Sequence, residues 1–248
     1  TMVSYIHFTC GTDTNQVVWS VFMKNGDVIR IRQDLIVTAI ETYNYSYQDY
    51  PMETMEELQA LVDRIGEEVT GDEVVNLYLP PVTYQGTLVL EERGMNLYGC
   101  TEGETPTVFT GGIQARYKRG TISYLNDLVF SGSGTEVGIS TASRVWATNC
   151  TFTGWKTAML AYGEAWVNLT GCRLADNQVG LHFNSTGQSV SDTRFRDNHF
   201  ENNGTAVLLE NVPTDITMDF AGCVFTGNDA DIDNRCNQPI DVSQAAFR

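Results

Sequence analysis

Short runs of alternating apolar and polar residues fill the chain after residue 73, and they recur in step. Phe130, Phe152, Leu174, Phe200 and Phe225 anchor the recurrence, standing 22, 22, 26 and 25 residues apart. Three residues before each anchor come Asp127, Asn149, Gly171, Asp197 and Gly222, all of types that tolerate a left-handed backbone. Three residues after the last three anchors come Asn177, Asn203 and Asn228, which predict a second corner. Further apolar columns keep the same phase. Val145/Ala147, Val167/Leu169, Thr193/Phe195 and Met218/Phe220 precede the first corner, and Met159, Leu181, Val207 and Ile232 follow the second. Period two within each short strand, with corners at fixed places, predicts an all-β chain wound as a parallel β-helix of about seven coils over 73–248.

The first 50 residues lack this repeat. Tyr5–Thr9, Val17–Met23, Val28–Arg32 and Leu35–Tyr43 are strand candidates, with Asn25-Gly26 a hairpin turn between the second and third. Residues 1–50 therefore form an N-terminal β segment, either an appended sheet or an irregular first coil. Residues 51–72 hold a helix. Thr54 and Glu57 make a capping box, Met55, Leu58, Leu61, Val62 and Ile65 an apolar stripe, and Gly71 a stop. An open β-helix end exposes core and strand edges, so a helix placed before the first coils predicts a cap. Early strands follow at Val74–Leu79, Leu88–Leu90, Met95–Tyr98 and Val108–Phe109.

Composition narrows the partners. The net charge of −16 argues against a nucleic-acid backbone or an anionic membrane, and repels a polyanionic ligand unless basic residues cluster locally. No run of 18 apolar residues predicts membrane insertion. Thr1 leads straight into β-like sequence without a leader pattern. Cys150, Cys172 and Cys223 each precede an anchor by two residues and should point inward as small apolar side chains, while Cys10, Cys100 and Cys236 show no pairing. Five glycosylation sequons, at Asn44, Asn149, Asn168, Asn184 and Asn203, fit chance occurrence in an Asn- and Thr-rich repeat.

The segments Asn149-Cys-Thr-Phe152, Gly171-Cys-Arg-Leu-Ala-Asp-Asn177, Phe200-Glu-Asn-Asn203 and Gly222-Cys-Val-Phe-Thr-Gly-Asn228 resemble right-handed parallel β-helix proteins of the pectin-lyase-like superfamily. The entry through Leu79-Pro-Pro-Val-Thr-Tyr84 and Met95-Asn-Leu-Tyr-Gly99 is similar to that of pectin esterases. The resemblance spans about residues 54–235 and implies a right-handed helix. It also implies a protein that acts on or binds polysaccharide outside the cytoplasm, secreted or extracytoplasmic. Catalytic strings of the superfamily are absent: Trp-Ile-Asp-His, Asn-Thr-Asp, Gly-His-Gly and Asp-Phe-Ile-Phe-Gly do not occur. Fold alone does not decide activity.

The register nominates an exposed face. Tyr124, Trp146, Asn168, Arg194 and Asp219 form one outward column, Arg144, Trp166, Asp192 and Thr217 a second, and Thr148, Thr170 and Arg196 a third. Tyr124, Trp146, Trp166, Arg194 and Arg196 are the candidate carbohydrate contacts, because rings stack on sugars and guanidinium pairs with carboxylate. Asp192, Arg194 and Asp219 carry the ingredients of acid–base or lyase chemistry. The competing account is a solvated ladder of cross-strand pairs, its rings covered by a loop. A second cluster, Arg173, Asp176, His182, His199 and Glu201, reads as exposed polar residues, with the two His on different sides. Three His do not converge into a metal site, and no cofactor is implied. Calcium could bind oxygen ligands at Asp176 with Asn177, or over Asp229–Asp233, where turn-forming Asp is the simpler account. Three functional classes emerge: a carbohydrate-interacting module without established catalysis, a polysaccharide lyase or glycoside hydrolase, and a structural or adhesive spacer. Oligomeric state is not encoded in any motif.

Overall fold

Left-handed corners set the path of the chain. In a computed structural model Asp127, Asn149, Gly171, Asp197 and Gly222 all have positive φ, between 53° and 73°. The structure describes residues 14–36, 40–101, 103, 105–120, 122–187, 195–213 and 216–248. Tyr5–Thr9, Cys10, Asp192, Thr193 and Arg194 lie outside the described residues.

Two compact units divide at residue 41. In the first, Thr14–Phe22 and Val28–Ile36 pair antiparallel around Asn25-Gly26. Gly26 has φ +92°, as a tight hairpin turn requires. Trp19 lies opposite Ile31, and Val21 opposite Ile29; all four are exposed.

The second unit, Thr42–Arg248, is the solenoid. Three parallel sheets share its core. A typical coil runs Arg144–Thr148 in the first sheet, Thr151–Thr153 in the second and Thr157–Gly163 in the third. The next coil repeats this at Trp166–Thr170, Arg173–Ala175 and Val179–Ser185, paired residue for residue. Thr42–Ser46 pairs in parallel with Val74–Tyr78, so it opens the first sheet rather than extending a strand from Leu35. The first-coil strand thus belongs with the solenoid, although it lies within the first 50 residues.

The anchors stack as a column inside the second sheet. Phe130 and Phe152 lie 4.6 Å apart and within 4° of parallel, and Phe200 and Phe225 4.9 Å apart, all fully buried. Such pairs add roughly 0.5–1.5 kcal/mol beyond their buried area. Cys150, Cys172 and Cys223 are buried beside them as free thiols, donating to carbonyl oxygens of Leu125, Ala147 and Phe195.

The second corner is shifted by one residue. Gly154, Asp176, Asn202 and Gly227 carry the positive φ, not the asparagines that follow. Asn177 and Asn203 turn inward instead and are buried. Asn228 Oδ1 accepts from Asn203 N and Nδ2, both at 2.9 Å. Asn203 Oδ1 accepts from Asn177 N at 3.1 Å and Nδ2 at 3.0 Å, and Asn177 Oδ1 from Trp155 N at 2.9 Å. An interior amide ladder thereby satisfies backbone donors that would otherwise be orphaned at the corner. Trp155 takes the ladder position in the preceding coil; a Cβ on Gly132 would lie 2.5 Å from its ring.

The helix spans Met55–Glu68, with the Thr54–Glu57 capping box formed. Its stripe packs into the core with Tyr84, Leu88 and Leu90. Gln59 reaches the third sheet's outermost strand, Leu88–Leu90: its Nε2 donates to Val89 O and its Oε1 accepts from Val89 N. One side chain thus covers a strand edge, as a cap must. The helix ends at an extended Val69, not at Gly71. Arg93 Nη1 donates to Val69 O, and Arg119 Nη2 to Gly66 O, so cations from later coils meet the negative end of the helix.

Candidate functional site

Strand register carries the first sheet's outward side chains into rows. Ser46, Tyr78, Tyr98 and Asn126 form one, each beside the next. Asn44, Asn76 and Asn96 start the neighbouring row, which continues through Tyr124 and Trp146. The amides bond end to end: Asn76 Nδ2 to Asn44 Oδ1 at 2.9 Å, and Asn96 Nδ2 to Asn76 Oδ1 at 2.9 Å. Tyr124 N donates to Asn96 Oδ1 at 3.0 Å, closing the ladder onto the aromatic segment.

The rings continue across coils. Tyr78 and Tyr98 stack at 5.1 Å, Tyr124 and Trp146 lie at 5.9 Å, and Trp146 meets Trp166 edge-on at 6.1 Å. Burial first, then the neighbouring phenols of Tyr78 and Tyr124, push the Tyr98 hydroxyl above its ordinary pKa. Tyr98 therefore remains a neutral donor near pH 7.

The sequence-derived face is altered in two places. Trp166 is only 5% exposed and Asn168 is fully buried, although both were expected to point into solvent. The Trp166 ring packs against Trp146, so the area a ligand would meet is spent within the row. Tyr124 and Trp146 are half-buried, and the indole Nε1 of Trp146 donates to Thr170 Oγ1 at 3.1 Å. Arg196 is exposed and grips Asp219 Oδ2 through Nε at 2.8 Å and Nη2 at 2.5 Å. Of the three acid–base candidates, Asp219 is thus held as an ion pair, and Asp192 and Arg194 lie outside the described residues.

The other cluster separates as its spacing predicted. Arg173 donates twice to Glu201 Oε2, at 3.0 and 2.6 Å, and His199 Nδ1 stands 4.0 Å from Glu201 Oε1, all on the second sheet. His182 sits on the third sheet with Nε2 2.9 Å from Glu210 Oε2, which also meets Arg235. Asp176 occupies a left-handed corner and is exposed, whereas Asn177 gives its side chain to the interior ladder. Among the described residues no three His, Cys, Asp or Glu side chains are grouped to hold a metal, and no helix is long and apolar enough to cross a membrane.

Residues 94–247 match the family model described as right handed beta helix region. The chain belongs to this right-handed β-helix family. The assignment fits the pectin-lyase-like resemblance, and the matched stretch covers the regular coils. No curated protein and no solved structure matches the chain.

Within this β-helix the structure adds residues to the face that the anchor repeat did not reach. Tyr78, Tyr98 and the three outer asparagines belong to coils before the first anchor. A signal was present: Asn76-Leu-Tyr78 recurs as Asn96-Leu-Tyr98, with the Leu inward; Asn76, Tyr78 and Tyr98 stay at least partly open, whereas Asn96 is buried within the amide ladder. The structure also sorts the sequons. Asn168 and Asn203 are buried, while Asn44, Asn149 and Asn184 are exposed.

Proposed function

We propose that this β-helix is a carbohydrate-interacting module that works outside the cytoplasm, holding a polysaccharide along the outer face of its first sheet without chemistry of its own. One observation carries the reading: Tyr78, Tyr98, Tyr124 and Trp146 line successive coils as partly open rings beside a ladder of amides. Rings offer flat apolar surface to the CH faces of sugars, and hydroxyls and amides meet sugar hydroxyls. The location is supported by the resemblance to pectin-lyase-like proteins, most of which meet polysaccharides there. Binding rather than cleavage is supported by the state of Asp219, whose Oδ2 is already held by Arg196 through Nε and Nη2 instead of standing open toward a ligand.

Trp146→Ala tests the reading. On an immobilised glycan array the parent is retained, and the variant loses at least tenfold in retention. Equal retention, or a parent held by no glycan, discards it. Reducing-end and unsaturated-product assays on the retained glycan should stay blank; released product would favour the lyase or hydrolase class instead.

A further inference from the structure

The ring stack has a free end. Tyr98 lies on Tyr78, and the next position in that row is Ser46, whose side chain is a single hydroxymethyl group. The row therefore drops from two rings to almost nothing, and Tyr78 stays 41% exposed despite its stacking. Beyond Ser46 the chain turns back: Tyr47 N donates to Tyr78 O, and Gln48 N to Ser46 Oγ. On the opposite side the corner after Tyr98 brings up Cys100 and Thr101. Tyr47, Gln48, Tyr78, Tyr98 and Thr101 thereby wall a pocket over Ser46. The Gly99 corner beneath it admits no side chain, since a Cβ would meet Asp127 O at 2.1 Å.

The chemistry of the walls is specific. Three phenol rings supply flat apolar surface, and an amide and hydroxyls supply neutral hydrogen-bonding groups. Among the described residues no Asp, Glu, Lys, Arg or His lines the pocket. A charged ligand would lose its hydration there without a counter-charge. A ring with one apolar face and a rim of hydroxyls fits each wall.

We propose that the pocket where the Tyr98–Tyr78 stack ends at Ser46 is a subsite for an uncharged pyranose ring. It rests on the reading of the outer face as a glycan surface, and it places one sugar at the end of that face. The ring lies on the open face of Tyr78 with its hydroxyl rim toward Gln48 and Thr101.

Calorimetric titration with neutral hexose hexamers (cellohexaose, mannohexaose) and with hexagalacturonate tests it. The parent should bind a neutral hexamer in preference to the uronate. Ser46→Trp and Thr101→Trp, which fill the pocket from two sides, should each weaken that binding at least tenfold, as should Tyr78→Ala; circular dichroism confirms which variants are folded. Parent-like binding by folded filled variants overturns the subsite, and so does preference for hexagalacturonate. If Trp146→Ala abolishes binding while both filled variants retain it, the pocket fails and the face survives. A parent that binds no hexamer overturns both.

Discussion

Asn203 serves two coils with one side chain. Its Oδ1 accepts from Asn177, and its Nδ2 donates to Leu174 O at 2.9 Å and to Asn228 Oδ1 at 2.9 Å. The residue is 1% exposed, so water cannot replace these bonds. Asn203→Ala leaves the buried Asn177 N–H without its acceptor, at a cost of about 1–3 kcal/mol for that donor alone. Asn228 ends the ladder and is half-buried, so Asn228→Ala should cost less. Urea unfolding of both variants checks the order; equal midpoints would contradict the ladder. Counting three residues from an anchor locates these asparagines but not their role. Asn tolerates a left-handed corner and also satisfies buried donors, and the backbone one residue earlier decides which it does.

The inward cysteine column gives an element-level consequence. Burial pushes the Cys223 thiol up to about 11 and the Cys150 thiol well above its usual range. An unfolded thiol titrates near 8.5. Between about pH 8.5 and 11 the native protein therefore holds more protons than the unfolded chain, and stability falls as pH rises. Below that window the contribution is complete. Tyr84, raised chiefly by burial, adds a loss of the same sign above about pH 10. Unfolding free energies measured under reducing conditions should decline from pH 8.5 to 10, and Cys150→Ala with Cys223→Ala should flatten the decline. A parent profile level to pH 10 would place these thiols outside the core. The helix shows the same interplay of local and distant groups. Its capping box is written in four consecutive residues, whereas its far end is completed by Arg93 and Arg119 from coils still to come.

Across the whole solenoid, burial is greatest in the middle coils. In Val179–Ser185 the inward residues Leu181, Phe183 and Ser185 are fully buried, whereas every residue of Ala230–Asn234 is only half-buried. Each coil is held by its neighbours, so the last has a partner on one side only. Amides of Val179–Ser185 should exchange slowest, and those from residue 230 onward much faster. Uniform protection would mean that the terminal coil is covered by something further. The repeat of anchors, inward cysteines and left-handed corners is legible in the chain because each depends on a residue's own chemistry at a fixed spacing. Phe is apolar wherever it stands, and Asp127 or Gly171 lowers the cost of the same backbone turn. The glycan face is legible only in part. Tyr124 and Trp146 follow from the anchor register, but the burial of Trp166 and the meeting of Tyr78 with Tyr98 depend on packing between coils. The pairing of Arg196 with Asp219 joins residues 23 apart across successive coils, and the covering of Val89 by Gln59 joins a helix to a strand edge. Sequence alone determined the winding, because winding is set by local backbone preference and period. Tertiary structure decided which outward residues stay open, because exposure depends on what neighbouring coils place beside them.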